Sequence, residues 1–149
     1  MLILAKRFFA VSALLVLFGV LAVVVGSLVS VHRISNYARL VAVEVAVFSD
    51  VQCTRPVVNI SWGLLSPGES KNFSCWMRST SNVPVVVSMT VSNWVPLNIS
   101  SWISVCWGCE GLMLYPGEVI SVAFSLEVDS AIPYGFRDFT FDILVCGSG

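Results

Sequence analysis

VISVAFSLEV, residues 119–128, is the stretch whose reading decides the fold. Its apolar side chains Ile120, Val122, Phe124, Leu126 and Val128 recur at every second position, with Ser121, Ser125 and Glu127 between them. Successive side chains of a strand point to opposite faces, so this period of two describes one buried and one solvated face. The residues just before it, Tyr115-Pro116-Gly117-Glu118, supply a turn. Proline presets φ for the first central position, and glycine accepts the positive φ that a type II turn requires at the second.

The same pattern extends in both directions. Downstream, Ser130 to Gly135 turns the chain and residues 138–145 set Phe139, Phe141, Ile143 and Val145 against Asp138, Thr140 and Asp142. Upstream, Ile103 to Trp107 is a short strand, Asn93 to Ser101 a loop, and Val85, Val87, Met89 and Val91 alternate with Val86, Ser88 and Thr90. Lys71 to Arg78 places Phe73, Cys75 and Met77 on one face, after a second proline-glycine turn at Ser66-Pro67-Gly68-Glu69. Val57 to Trp62 places Val58, Ile60 and Trp62 on one face against Asn59 and Ser61, and residues 40–48 set Val41, Val43, Val45 and Val47 on one face of a first strand. Seven or eight short strands at these intervals predict an all-β domain, an immunoglobulin-like antiparallel β-sandwich over residues 40–149.

A different signal precedes the strands. Residues 8–31, FFAVSALLVLFGVLAVVVGSLVSV, carry no charge and lie between Lys6-Arg7 and His32-Arg33. As a helix they would reach roughly 36 Å, enough to cross a hydrocarbon core of about 30 Å. A secretory signal has a shorter apolar region, about 7–15 residues, so the length favours a retained transmembrane α-helix over a cleaved one. Residues 1–7 then form a basic cytoplasmic leader and residues 32–39 a linker. Flanking charge does not orient the helix, because Lys6 and Arg7 are matched by Arg33 and Arg39. The C-terminal part holds all five cysteines and the sequons at Asn59, Asn72 and Asn98, which suit an extracellular location and N-glycosylation.

Composition narrows the function classes. Charged residues make up 11% of the chain and net charge is −1, with no basic run beyond pairs, which gives no footprint for nucleic acid. The only histidine, His32, sits at the membrane boundary. No Ser-His-Asp or Cys-His arrangement can form in the domain, and no glycine-rich phosphate loop appears. Asp138 and Asp142 share a strand face, where solvation is the expectation and calcium a minor alternative. The expectation is a protein with no catalytic residue, no cofactor, no metal and no small-molecule substrate, whose partners are the membrane through residues 8–31 and other envelope proteins or further copies of itself.

The sharpest chemical signal is Cys106-Trp107-Gly108-Cys109. Covalent haem attachment wants histidine after the second cysteine, and Glu110 stands there. A zinc site would need Cys53, Cys75 or Cys146 as further ligands, yet these form no second close pair. A thioredoxin-like pair belongs at a helix N-terminus, and this one falls in a β-hairpin. Disulfide bonding among Cys53, Cys75, Cys106, Cys109 and Cys146 is the favoured role, with partners unassigned and at least one cysteine left over in a monomer. Of the tryptophans, Trp62 has inward parity and Trp76 outward parity, while Trp94, Trp102 and Trp107 fit either loop packing or a sugar-stacking platform.

The order Ile60-x-Trp62-Gly63, Pro67-Gly68, Asn82-Val83-Pro84-Val85, Asn93-Trp94-x-Pro96, Leu114-x-Pro116-Gly117-Glu118 and Phe139-x-Phe141-x-Ile143 resembles a group of archaeal membrane-anchored surface proteins. These have one N-terminal apolar helix and one immunoglobulin-like domain. The resemblance spans nearly the whole chain and implies anchoring and fold; it brings no active site, and Cys106-x-x-Cys109 departs from the polar hairpin it implies there. Together these readings predict a single-pass cell-membrane protein that displays its domain outside. Its expected role is structural, adhesive or partner-binding. The alternatives are a subunit of a pilus-like filament, with residues 40–48 as a strand donated between subunits in one variant, and a thiol redox or metal-binding protein using Cys106 and Cys109.

Overall fold

The computed structural model describes residues 34–149. The leader at 1–7, the membrane helix expected at 8–31, and His32 and Arg33 lie outside the described residues. Among the described residues no helix is long and apolar enough to cross a membrane.

The described chain is all-β. Its strands are β1 (Ile34–Val43), β2 (Val45–Phe48), β3 (Asn59–Leu65), β4 (Ser70–Ser79), β5 (Val85–Val95), β6 (Ile103–Trp107), β7 (Met113–Leu114), β8 (Val119–Val128) and β9 (Asp138–Ser148). A 3-10 turn at Leu97–Ser101 joins β5 to β6. Five strands form one sheet in the order β3-β1-β9-β5-β7, and four form a second in the order β2-β4-β8-β6. The inward side chains of both sheets meet in one core, in which Phe124, Phe139, Phe141, Leu126 and Ile143 are fully buried.

β8 and β9 follow the expected faces residue for residue. Val122, Phe124, Leu126 and Val128 are buried on β8, and Phe139, Phe141, Ile143 and Val145 on β9. The two proline-glycine turns are built alike. Gly68 and Gly117 take φ of 77° and 74°. In each turn the glutamate N–H donates to the carbonyl three residues back, Ser66 or Tyr115, at 3.0 Å. The same glutamate's Oε2 accepts the N–H of that residue at 2.8 Å. Both turns therefore close twice with one set of residues, which accounts for their similarity in sequence.

Three features differ from the sequence expectation. First, the strand expected at 40–48 is two strands in different sheets, and it begins at Ile34, inside the segment expected as a linker. Glu44, at φ 61°, makes the break. Crossing from one sheet to the other inverts the alternation: Val41 and Val43 are exposed, whereas Val45 and Val47 are buried.

Second, β1 runs parallel to β9, from Ser35 opposite Asp138 to Val43 opposite Cys146, within an otherwise antiparallel arrangement. β1 is also paired with β3 from Ile34 to Arg39, on its other edge. Third, β5 continues into the segment expected as a loop, as far as Val95. A bulge between Ser92 and Val95, with Asn93 at φ 55°, carries the extra residue. The bulge shifts parity and turns Trp94 toward the core, where its ring stacks on Phe141 with centroids 4.4 Å apart.

Candidate functional site

The fold divides the Cys-x-x-Cys pair. Cys106 lies on β6 and is exposed, because its position alternates with that of Trp107, which turns inward. The Trp107 ring lies parallel to Phe124 of β8, centroids 5.9 Å apart and planes within 3°. The chain then leaves the four-stranded sheet toward β7, and Cys109 is half-buried against the core on this crossover. Cys106 thus faces solvent from β6, whereas Cys109 packs on the core from the crossover. Glu110, which occupies the place of a haem-motif histidine, fastens the loop: its Oε2 accepts the Trp107 Nε1–H at 2.8 Å and the Met89 N–H at 3.1 Å.

The other cysteines are distributed over the domain. Cys75 is buried on β4. Burial pushes its thiol up to about 12, with the Cys109 sulfur adding to the rise, and burial raises Cys109 as well. Cys146 is half-buried on the outer face of β9, level with Val43 and Ser88. Cys53 is buried in the loop between β2 and β3, at φ 54°.

That loop is organised by Asp50, a residue to which the strand pattern gave no role. Asp50 accepts the N–H groups of Thr54 and Arg55 at 3.0 and 2.7 Å and the Thr54 hydroxyl at 2.9 Å. Desolvation alone would lift its carboxyl. The backbone donors, the hydroxyl and the Arg55 charge outweigh it and hold the carboxyl below its usual value. Its contribution is therefore present above the ordinary carboxylate range and is lost as pH falls through the lowered value.

Asp138 and Asp142 do not form a paired site. Asp142 is engaged by Arg39 and by the Asn93 side-chain amide, both at 2.8 Å from its Oδ2. Asp138 lies four residues back along the extended strand, about 13 Å away at the usual strand rise. The Arg39–Asp142 pair lines a shallow depression of about 430 Å³ with Tyr37, Asn59 and Thr140. Among the described residues no group of three or more His, Cys, Asp or Glu side chains is placed to hold a metal ion.

The sequon asparagines Asn59, Asn72 and Asn98 are exposed, as are their hydroxyl partners Ser61, Ser74 and Ser100. The tryptophans are not gathered on one platform. Trp62 is core, as its parity predicts, and meets Phe73 edge-on at 6.4 Å. Trp94 belongs to the five-stranded sheet and Trp107 to the four-stranded one, with each ring face against a core phenylalanine. Trp76 is half-exposed on the outer face of β4, opposite Phe48, whose ring is capped by the Arg78 guanidinium at 5.0 Å.

The outer faces of the two sheets differ in chemistry. That of β4, β8 and β6 presents Asn72, Ser74, Ser121, Ser125 and Ser104, a polar solvated surface. That of β1, β9, β5 and β7 presents an apolar strip interrupted at the β9–β5 seam, where Leu144, Cys146 and Val86 are level with Thr90, Ser88 and Ser148. Val41 is level with Leu144, Val43 with Cys146, and Val86 with Met113. Val43 and Met113 are 47% and 51% exposed, too open to be part of the core. Antiparallel sheets usually solvate one face with polar side chains, and these outward apolar side chains depart from that pattern. Sequence parity turns Val86 and Leu144 outward with Trp76; what it does not show is that the break at Glu44 puts Val41 and Val43 on the outer face with them.

No family model matches the chain, and comparison with curated proteins gives no match.

Proposed function

We propose that the protein is a non-enzymatic surface protein. Residues 8–31 span the cell membrane once, residues 1–7 stay in the cytoplasm, and the domain, an immunoglobulin-like sandwich, is displayed outside. Its role there is structural, adhesive or partner-binding, and Asn59, Asn72 and Asn98 carry glycans. The observation that carries this reading is the outward apolar side chains of the five-stranded sheet, Val41, Val43 and Leu144 in one group and Val86 with Met113 in another, an interrupted strip on one outer face. The uncharged run at 8–31 and the exposed sequons support the location.

Self-assembly into a pilus-like filament is the second reading, favoured by the same strip, since an apolar face can meet its equal on another copy. In the donated-strand variant residues 40–48 would have to leave their own sheets, where 40–43 pair with β9 and 45–48 with β4. A redox or metal role for Cys106 and Cys109 finds no support in side chains that face opposite ways.

Charge on the strip tests the reading. Val43→Asp combined with Val86→Asp changes two exposed side chains, so stability is expected to move little. Association that buries the strip would have to desolvate both carboxylates, and the yield of species captured by mild cross-linking on cells is expected to fall about tenfold or more, the equivalent of about 1.4 kcal/mol. An unchanged cross-linking pattern would overturn the assignment of this face.

A further inference from the structure

Four strands end the two sheets, β3 and β7 in one and β2 and β6 in the other. An edge strand presents unpaired N–H and C=O groups along one side, and folded chains usually cover, charge or shorten it. Three of the four edges are treated in that way. Beside β2, Val57 N–H donates to the Val47 carbonyl at 2.8 Å and Pro56 bridges to Phe48. On β3 the Lys71 ammonium donates to the Trp62 and Leu64 carbonyls at 3.1 and 2.6 Å. β7 is two residues long. β6 is five residues long, ISVCW, with no charge and no proline, and β8 is its single strand neighbour among the described residues.

The direction of the β6 backbone groups follows from one bond at its start. Asp129 N–H donates to the Trp102 carbonyl at 2.8 Å, one step beyond the Ile103–Val128 pair. Opposite residues in an antiparallel ladder alternate between hydrogen-bonded and non-hydrogen-bonded pairs. With Trp102 and Asp129 of the bonded kind, Ser104 and Cys106 turn their N–H and C=O toward β8, and Ile103, Val105 and Trp107 turn theirs to the open edge. The register runs without a shift from Ile103 to Trp107, so the alternation is unbroken. A strand added antiparallel to that edge therefore bonds at Val105 and Trp107 and meets Cys106 in a non-hydrogen-bonded pair.

We propose that β6 pairs antiparallel with β6 of a second copy of this chain, about a two-fold axis at Cys106. That register sets Val105 opposite Trp107 of the other copy, twice, and closes four backbone hydrogen bonds. Ser104 falls opposite Gly108, where an added Cβ would meet nothing within 4 Å. Residues 102–109 carry no charge, so the two-fold brings no like charges together. An axis nearer the start of the strand would slide the other copy's crossover toward the 3-10 turn at Leu97–Ser101. What selects a second copy over an unlike strand is this match of the edge with itself, together with the five cysteines, which leave at least one over for a contact between chains. The two Cys106 side chains come side by side on the outer face, where each is exposed.

So short an edge buries well under the roughly 1,000 Å² of a stable interface, so the dimer is weak and is read by trapping. The pairing makes no covalent bond of its own, and both thiols stay reduced until an oxidant is added. Residues in a non-hydrogen-bonded pair have Cα atoms about 4.5 Å apart, inside the span of about 4.4–6.8 Å that a disulfide bridges. With glutathione disulfide as oxidant, the deprotonated Cys106 of one copy attacks one sulfur, breaks the S–S bond and releases one glutathione thiol. The deprotonated Cys106 of the other copy then attacks the protein sulfur of that mixed disulfide and releases the second. Two protein thiols and one small disulfide give one interchain disulfide and two small thiols. The pairing goes beyond the surface-protein reading and uses the four-stranded sheet, so its failure leaves that reading as it stands.

The test uses the full chain in detergent, oxidised with glutathione disulfide, quenched at intervals with an alkylating agent and digested without reduction. The expected product links Cys106 of one copy to Cys106 of another. Cys106 recovered alkylated or carrying glutathione, with no such link, would overturn the proposal. A link through an exposed thiol also arises by chance collision, and a second variant removes that ambiguity. Ser104→Cys combined with Cys106→Ser moves the thiol two positions along the same exposed face of β6. In the proposed register the two copies of position 104 lie about 14 Å apart along the strands, at about 3.4 Å per residue. Their link is therefore expected to form at least about tenfold more slowly than the Cys106 link. Equal rates would mean collision without pairing, and a faster link at position 104 would mean a different axis; either result would overturn the proposal.

Discussion

Phe124→Ala is expected to lower unfolding free energy by about 3–5 kcal/mol, a large share of the 5–15 kcal/mol typical of a domain. Phe124 is 1% exposed on β8, an interior strand of the four-stranded sheet. It is opposite Phe73 on one neighbour and Trp107 on the other, and the Trp107 ring stacks on it. Truncation would empty the volume where both strands lean on β8 and would free Trp107, which holds the start of the crossover. Urea unfolding followed by tryptophan fluorescence measures the change, and a loss below about 1 kcal/mol would show that the site collapses without cost.

Phe141→Ala is the second large effect, again about 3–5 kcal/mol. Phe141 is 1% exposed on β9, beside Ala38 of β1, whose small side chain leaves the ring its space. Its ring meets Trp94 at 4.4 Å and Phe139 at 6.0 Å. Trp94 reaches it only because the bulge at Asn93 reverses the facing of β5. A double-mutant cycle with Trp94→Ala is expected to give a coupling of about 0.5–1.5 kcal/mol beyond the single losses. Additive losses would mean that the stack contributes burial alone.

What was legible in the sequence is what strands declare locally. β8 and β9 alternate without interruption, the two Pro-Gly-Glu turns name their own geometry, and the parity of Trp62 and Cys75 gives their facing. What was not legible depends on partners far along the chain. The alternation of residues 40–48 reads the same whether one strand continues or two strands in different sheets meet at Glu44, and the break inverts every assignment on one side of it. The start of β1 was hidden because Ser35, Tyr37 and Arg39 face out and make a strand look like a polar linker. Parallel pairing of β1 with β9 leaves no local mark.

The cysteines teach the same lesson on the candidate site. Spacing joins Cys106 to Cys109, but one lies on a strand with outward facing and the other on the crossover after it. Sequence separation set the expectation, and the sheet's two-sidedness reset it. The apolar strip has a similar origin: Val41 and Val43 face out because the chain changes sheet at Glu44, and pairing with β9 sets Val41 beside Leu144.

The central claim, that the domain is displayed outside the membrane, is tested most directly by labelling the exposed Cys106 with a membrane-impermeant thiol reagent. The account predicts that Cys106 is labelled on intact cells to the same extent as after lysis. Labelling that appears only after lysis would contradict it.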